Sequence, residues 1–461
     1  MISHGIVRPL HRALVQSTLL ALIATPGMAQ APRVAADTTA VPVTFDDAVR
    51  LALRQSVTVR QATNSSAASE ATVRQRSLAL LPNLSLSTNT TESYGFTFNQ
   101  NEGRIVDRAT TNFTVGATSG VTLYDGGRNR ANIREARLSN SANDADLTRA
   151  RQTAVFTVAA QYLTLVQAIE QLRVQRDNLS AQRSQDSVIQ RLVRAGARPI
   201  SDQYQQQATV ASAQFAVVSA ERNAEVASVS LIQTLQLDPR GRYRFVPPAM
   251  TDSVRVVRFN LDSLLGKALG SRADLDALET RVEASKQSIA SASGARLPSL
   301  SMNLGYNTAF NSASTLAFSD QLSQRRNGSL GVSISMPLFD RGAAGVATQQ
   351  ARIAADNARI QLADREQTVA SEVRRAYLDH AAAVQQLEAA QAQLRASELA
   401  ASTTERRYQV GAGTLLEVTT ARAQLVQAAS AVVTARFTLA FQQSLMAYYV
   451  GDLVPEQVTL Q

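Results

Sequence analysis

The chain has 461 residues, a formal net charge of +9 and no cysteine. Without cysteine it can form neither a disulfide framework nor a thiolate metal site. Lys267 and Lys286 are its only lysines, so the positive balance comes from arginines that are scattered among acidic residues. A nucleic-acid-binding protein would show a concentrated basic face, and we therefore expect no nucleic-acid partner.

The first 29 residues have the features of a secretory signal peptide. Arg8 and Arg12 precede an apolar run, and the small residues of 27–29 follow it. We expect export, cleavage near Gln30 and an N-terminal extension over residues 30–42. After the signal there is no apolar run of about 18 residues, so we predict no membrane-spanning helix.

The first half of the predicted fold covers residues 43–239. Apolar residues fall on alternate positions in two segments, as in strands with two different faces, and a polar loop at 99–108 separates these segments. The predicted elements are a helix from Thr44 or Asp46 to about Leu80, strands at about 83–99 and 111–124, a long helix at 126–195 and a returning helix at 201–237.

The second half covers residues 261–452, after a linker at 240–260, and a tail at 453–461 ends the chain. Its predicted elements are a helix from about Asp262 to Arg296, strands at about 299–310 and 328–339 around a polar loop at 324–327, a long helix at 342–410 and a returning helix at 415–450. Landmarks recur at a shift of 215 or 216 residues: Leu81-Pro82 returns as Leu297-Pro298, and Gly196-Ala197 returns as Gly411-Ala412. Because the matches keep their order, we interpret the chain as a duplicated helix, strand, strand, long helix, helix unit.

The second long helix is free of proline and rich in Ala, Gln, Arg, Glu and Leu, which are good helix formers. At about 1.5 Å per residue it would reach on the order of 100 Å. No compact domain encloses such a helix, so it is expected to be a strut or the wall of a tube.

The four predicted strands are long enough to cross a bilayer when tilted. Four strands cannot close a barrel, and unpaired edges cannot face lipid, so other copies of the chain would have to complete it. Three copies would give twelve strands and a lumen. Strands of a soluble sandwich beside a long coiled coil fit the same pattern, so two hypotheses stay open here: a membrane channel, and a secreted or periplasmic coiled-coil structural protein without a pore.

Four segments resemble the outer membrane efflux protein family, the TolC-like channels. They are the strand-to-helix junctions at 123–128 and 337–342, with Asp125, Gly126, Gly127, Asp340 and Gly342, and the turns at 195–202 and 407–418. The resemblance spans essentially the whole mature chain. It implies a mixed α/β, mostly α membrane protein, in which a homotrimer forms a twelve-stranded outer-membrane β-barrel continued by a periplasmic α-helical barrel.

The function that the resemblance implies is an outer membrane exit duct of a tripartite efflux or type I secretion system. Its partners would be a periplasmic adaptor protein and, indirectly, an inner-membrane pump of the RND, ABC or MFS class. The adaptor would dock at the turns between the helices of each half, which contain Gly196, Ala197, Gly411, Ala412 and Gly413.

The resemblance also implies a gate at the inner end of the helical tunnel. Asp202 and Tyr408 match two members of the family's lock, so a hydrogen bond between phenol and carboxylate is expected. Gly413 stands where a lock arginine is found, and Arg198 occupies the duplicated position in the first half. Glu417 matches one entrance acid, while Thr420 replaces the other. Asp202 and Glu417 are also acids in the first turn of a helix, where the helix dipole alone favours them.

We find no constellation of residues that would support catalysis. His380 is the only histidine outside the signal, and it has neither a cysteine nor a second histidine to act with. We therefore expect no enzymatic activity, no cofactor and no metal. The sequence does not specify the transported substrate.

Overall fold

The computed structural model describes residues 40–99, 103–107, 109–246 and 257–452. The predicted signal peptide and the tail at 453–461 lie outside these residues. In chain order the elements are β1 (Val41–Val43), α1 (Phe45–Gln55), α2 (Val57–Leu78), β2 (Ser85–Ser93), β3 (Phe96–Asn99), β4 (Arg104–Asp107), β5 (Thr110–Asp125), α3 (Arg128–Arg194), α4 (Ile200–Thr234), β6 (Tyr243–Phe245), α5 (Leu261–Ser271), α6 (Ala273–Gly294), β7 (Ser299–Asn311), α7 (Phe318–Gln324), β8 (Asn327–Ser335), α8 (Ala343–Gln409) and α9 (Leu415–Val450). Among the described helices, none is both long enough and apolar enough to cross a membrane.

The main sheet has the strand order β2-β5-β7-β8, and each neighbouring pair is antiparallel. Its two faces differ because side chains alternate along each strand. The strand register places apolar side chains of neighbouring strands side by side on the first face. These side chains include Leu86, Val115, Val121, Met302, Leu304, Val332 and Ile334. The opposite face has small and polar residues, including Ser87, Gly116, Thr118, Asn303, Asn307, Gly331 and Ser333.

The edge strands β2 and β8 are exposed along their whole length. Within the described residues, neither has a partner on its outer side. Near the end of β5 and the start of β7, a bulge between Thr122 and Tyr124 places Tyr124 opposite Leu300 on the apolar face. The sheet is therefore open, two-faced and bounded by two unpaired edges.

The helices form two antiparallel pairs, α3 with α4 and α8 with α9, and α3 also packs against α9. The largest apolar cluster surrounds Tyr162 of α3, whose side chain is completely buried. The Tyr162 hydroxyl donates to the carbonyl of Val246 at 2.5 Å, and its ring contacts Phe45 and Phe245 edge-on. Burial raises the pKa of Tyr162 to about 12. This one side chain thus fixes the small parallel sheet of β1 and β6 against the long helix.

A buried charge cluster holds four helices together beside this core. Arg272, completely buried, donates to Asp274 at 2.9 and 2.8 Å and to Glu372 of α8 at 3.1 Å. Arg365 of α8 donates to the same Asp274 carboxylate at 2.8 Å. Arg149 of α3 lies 3.8 Å from Asp274 and 3.9 Å from the centre of the Tyr448 ring in α9. Burial alone would raise the pKa of the Asp274 carboxyl, but hydrogen bonds from Arg272 and Arg365 hold this pKa well below its usual range.

Each helix predicted before the first strand of a half is in fact two helices. The helix predicted from Thr44 or Asp46 to about Leu80 breaks at Ser56, and the one predicted from Asp262 to Arg296 breaks at Arg272. Ser56 and Arg272 both have ψ near 125°, which is extended backbone. At Arg272 this turn directs the guanidinium into the charge cluster, so a tertiary contact overrides the local helix preference.

The strand predicted at 83–99 is too long, and the loop predicted at 99–108 contains a strand. The strand ends at Ser93, and Gly95 follows with φ +114°, a conformation that favours glycine. The chain then forms a separate hairpin of β3 and β4, while residues 100–102 and 108 lie outside the described part. The alternating Phe96 and Phe98 are thus a strand of this hairpin.

Three further boundaries differ from the prediction. The strand predicted at 328–339 ends at Ser335, because Pro337 has no amide hydrogen for the ladder. The segment just before the predicted loop at 324–327 contains the short helix α7. The linker predicted at 240–260 contains β6, and its residues 247–256 lie outside the described part.

We predict that Asp274→Ala lowers the thermal unfolding midpoint of the detergent-solubilised protein, followed by circular dichroism. Removing this carboxylate breaks a buried ion pair, which costs about 3–5 kcal/mol, and leaves the completely buried Arg272 with Glu372 as its carboxylate partner among the described residues. Asp276→Ala, an exposed acid in the same helical turn, is the matched control and should have a small effect. Equal effects of the two substitutions would contradict the role assigned to the cluster.

The same cluster predicts the sign of a pH effect. Because the pKa of Asp274 is lowered on folding, its contribution to stability is fully present above pH of about 4, the ordinary carboxyl range, and is lost only as the pH falls further. The difference in unfolding midpoint between wild type and Asp274→Ala should therefore be constant at neutral pH and shrink in strong acid.

Candidate functional site at the helical turns

The turn after each long helix is built in the same way. Gly196 has φ +69° and Gly411 has φ +83°, the left-handed region that favours glycine. The following amides, those of Ala197 and Ala412, donate back to the carbonyls of Leu192 and Arg407 at 2.9 and 2.8 Å. This is the Schellman arrangement that satisfies the free carbonyls at a helix end. The two glycines thus let each long helix stop and reverse within a few residues.

The structure contains the hydrogen bond that the resemblance implied between Tyr408 and Asp202. The Tyr408 hydroxyl donates to Oδ2 of Asp202 at 2.9 Å, so the end of α8 is joined to the start of α4. Tyr408 is completely buried, and burial together with the Asp202 carboxylate raises its pKa to about 12. The phenol therefore remains protonated, and able to donate, throughout the physiological pH range.

Arg198 lies over this pair and connects the two turns. Its guanidinium is 4.2 Å from the centre of the Tyr408 ring, within the range of a cation–π interaction. Its Nη2 donates to the carbonyl of Tyr408 at 2.5 Å and also lies 3.4 Å from the carbonyl of Gly413. Gly413 is the duplicated position of Arg198 itself. One arginine in the first turn thus binds the backbone of the second turn.

Glu417 is not part of this hydrogen-bonded group. Its backbone amide donates to the Thr414 hydroxyl at 3.3 Å, which caps α9. Its carboxylate folds back over the turn, because a Cβ placed on Gly413 would lie 3.1 Å from Oε2 of Glu417. Among the predicted gate residues, the structure therefore brings together Asp202, Tyr408 and Arg198, while Glu417 stays exposed at the rim.

Sequence reasoning missed the residues beneath this group. Ile189, Leu415 and Val418 form a small apolar cluster with Tyr408. One helical turn beyond Asp202 in α4, the buried Gln206 amide donates to Gln182 of α3. Its two acceptors are the side-chain oxygen of Gln182 at 2.8 Å and the backbone carbonyl of Gln182 at 3.0 Å. The duplicated positions hold Ala421 and Ser397, so this amide pair exists in the first helical hairpin alone. Glutamine is frequent throughout these helices, and no local pattern distinguishes the buried pair.

The predicted strand-to-helix junctions also use their acids as helix caps. Asp125 accepts from the amide of Asn129 at 2.8 Å, and Asp340 accepts from the amides of Gly342 and Ala344 at 2.9 and 2.7 Å. Gly126 is required for a further reason, since a Cβ there would lie 2.3 Å from the carbonyl of Gly294. Gly127 and Gly342 have φ near +80° at the helix starts.

Across the described ranges, no three His, Asp or Glu side chains gather as a metal ion would require. His380 is buried with its ring against Phe259, and burial lowers its pKa. Its surroundings are those of a core residue.

Paired helical hairpins on an open amphipathic sheet define the class of protein as a channel built from strands and long helices. A sequence profile described as outer membrane efflux protein matches residues 48–235 and 264–447. The chain therefore belongs to the outer membrane efflux protein family. It is an outer membrane efflux channel, and the hypothesis of a coiled-coil protein without a pore is set aside.

Individual relatives agree with this assignment. The chain is 24% identical over 360 residues to the outer membrane efflux protein BepC of Brucella suis, covering 76% of this chain and 74% of BepC. Its fold is similar to that of the outer membrane protein VceC of Vibrio cholerae, with a TM-score of 0.76, 19% identity and coverage of 88% of this chain and 96% of VceC. The Campylobacter jejuni CmeC outer membrane channel gives a TM-score of 0.74 at 18% identity, covering 90% of this chain and 87% of that one.

We predict that in Tyr408→Phe the two helical hairpins separate at their turns more often than in the wild type. A hydrogen bond to a charged acceptor contributes about 1.5–3 kcal/mol, so its loss should raise the ratio of open to closed turns by roughly tenfold or more. The measurement is the susceptibility of cells to vancomycin, which an intact outer membrane excludes. Asp202→Ala should act in the same direction.

Tyr204→Phe provides the matched control. Tyr204 lies on the same turn of α4 as Asp202 but is 63% exposed and has no hydrogen-bond partner among the described residues. The substitution Tyr204→Phe should leave the susceptibility of cells to vancomycin unchanged. If Tyr408→Phe and Tyr204→Phe behave alike at equal expression, Tyr408 does not hold the turns closed.

Proposed function

We propose that three copies of the chain close into one twelve-stranded outer-membrane barrel, continued by a helical tunnel through the periplasm. The observation that supports this most strongly is the open sheet. In lipid the edge amides and carbonyls of β2 and β8 would have no hydrogen-bond partners, which costs several kcal/mol for each group. A second copy offers the complementary edge, and three copies complete a ring with a lumen.

The internal repeat predicts the register of the edge pairing between copies. Within one chain, β5 of the first half pairs with β7 of the second, and Thr118 lies opposite Gly305. A shift of 215 residues carries Thr118 to Ser333 in β8, and a shift back of 216 residues carries Gly305 to Asn89 in β2. If the same contact joins neighbouring copies, Ser333 of one copy lies opposite Asn89 of the next.

A cysteine pair tests this register, since the natural chain has no cysteine to interfere. We predict that the double variant Asn89→Cys, Ser333→Cys forms oxidised dimers and trimers in membranes, visible on non-reducing gels. A disulfide within one chain is excluded because β2 and β8 are separated by three strand spacings, about 14 Å.

The control shifts one cysteine along the strand. The variant Ser85→Cys, Ser333→Cys displaces the sulfur by four residues, about 13 Å, which no disulfide bridges. It should remain monomeric on the same gels. Equal cross-linking of both pairs would contradict the proposed register, and no cross-linking of either would contradict closure between copies.

The helical turns are proposed as the closed end of the duct. Tyr408, Asp202 and Arg198 join the two hairpins of one copy, and Glu417 at the rim adds negative charge to the entrance. The turns formed by Gly196-Ala197 and by Gly411-Ala412-Gly413 are proposed to dock the hairpin of a periplasmic adaptor. All of these residues except the half-buried Gly413 are exposed, and none has a bulky side chain.

The proposed role is the exit duct of a tripartite efflux or type I secretion system, fed by an inner-membrane pump of the RND, ABC or MFS class. The polar face of the sheet supports passage of chemically varied cargo. Over β2, β7, β8 and residues 112–122 of β5, this face has serine, threonine, asparagine and glycine with one alanine, and none of its side chains is charged. A lumen lined in this way would not select cargo by charge.

A further inference from the structure

The end of the main sheet that meets the helices exposes large apolar side chains. Leu338 is 91% exposed and Phe339 is 86% exposed, just beyond the end of β8. Tyr124 and Leu297 are also about half exposed, at the adjoining ends of β5 and β7. These residues continue the apolar character of the sheet to the level at which α3 and α8 begin.

Four exposed arginines lie at the same level: Arg128, Arg130, Arg296 and Arg341. Within the described residues none of them forms an ion pair within 4 Å or a hydrogen bond. Arg296 extends toward the start of α8, since a Cβ on Gly345 would lie 3.1 Å from its Nη2. The carboxylates of Asp125 and Asp340 cap the helices and keep their charge, and Asp340 also interacts with Arg296. Four arginines against two carboxylates leave the local charge positive.

Arg341 also occupies a backbone conformation that is costly for it. Its φ is +57°, in the left-handed region where side chains other than glycine are uncommon. The duplicated position in the first half is Gly126, with φ +74°. A glycine at 341 would fit the turn without strain, so the folding of the junction does not explain the arginine. Residues kept in such conformations often serve function.

We propose that the two junctions form a collar that binds anionic phospholipid headgroups in the periplasmic leaflet of the outer membrane. Guanidinium groups pair with phosphate oxygens through two parallel hydrogen bonds. Exposed Leu338, Phe339 and Tyr124 lie where the headgroups give way to acyl chains, the depth that aromatic side chains favour. The proposal rests on the proposed function, because it requires the sheet to cross the outer membrane.

Native mass spectrometry of the purified trimer tests the collar. The protein is delipidated in detergent and then mixed with micelles containing phosphatidylglycerol or phosphatidylethanolamine, and the retained lipids are counted. The wild type should retain phosphatidylglycerol preferentially. Each of Arg296→Gln and Arg341→Gln should weaken this binding about fivefold, the effect expected of one arginine near an anionic surface. Arg395→Gln, an exposed arginine far along α8, is the matched control and should leave it unchanged.

Arg341→Gly separates binding from folding. This variant relieves the backbone conformation, so its thermal midpoint in lipid-free detergent should equal or exceed that of the wild type. Its retention of phosphatidylglycerol should fall as far as that of Arg341→Gln. A fall in both measurements would assign Arg341 a structural role and overturn its part in the collar.

The remaining outcomes separate this proposal from the proposed function. Equal retention of both lipids by the wild-type trimer would overturn the collar alone. So would a loss of phosphatidylglycerol in Arg395→Gln as large as the loss in Arg296→Gln and Arg341→Gln. Failure of the Asn89→Cys, Ser333→Cys variant to cross-link into trimers overturns the proposed barrel and the collar together.

Discussion

The unpaired edges of the main sheet are the constraint on which the rest of the structure depends. A four-stranded sheet with one apolar face and one polar face can neither bury its apolar side against the chain's own helices nor leave its edge groups in lipid. The proposed closure across copies would satisfy both requirements at once. It would also place the small and polar residues of one sheet face, such as Ser333 and Asn303, toward a common lumen.

The long helices continue from the strands of the sheet. They begin within three residues of β5 and beyond a short connection after β8, with Asp125 and Asp340 as caps. Around the middle of the helices, the Tyr162 core and the cluster of Arg272 with Asp274 hold the elements in one arrangement. At the far end the apolar cluster is smaller, formed by Tyr408 with Ile189, Leu415 and Val418, and polar contacts of Asp202 and Arg198 lie beside it. The proposed gate at these turns would need such an end to open more readily than the larger core.

The sequence predicted much of this fold because its signals are local and duplicated. The ends of α3 and α8 differ from the predicted ends by at most two residues, since aspartate and glycine mark the starts and glycine marks the turns. The break at Arg272 was missed because it depends on the tertiary contacts of its guanidinium, and the break at Ser56 was missed as well. The hairpin of β3 and β4 was missed because β3 was taken as the end of the strand predicted at 83–99 and β4 lay in the polar loop predicted at 99–108.

At the candidate site, the bond between Asp202 and Tyr408 was expected only through the family resemblance, since these residues are far apart in sequence. The contacts of Arg198 with the backbone of the second turn could not be predicted, because they depend on how the two hairpins are placed in space. The amide pair of Gln182 and Gln206 was hidden for the same reason.

Single-channel recording of the purified mature protein in planar lipid bilayers tests the central claim most directly. The account predicts discrete conductance steps of uniform size, rare or small because the turns are closed, from a species that runs as a trimer before heating and as a monomer after it. A protein that remains in aqueous solution without detergent and never conducts would contradict closure of the sheet across three copies.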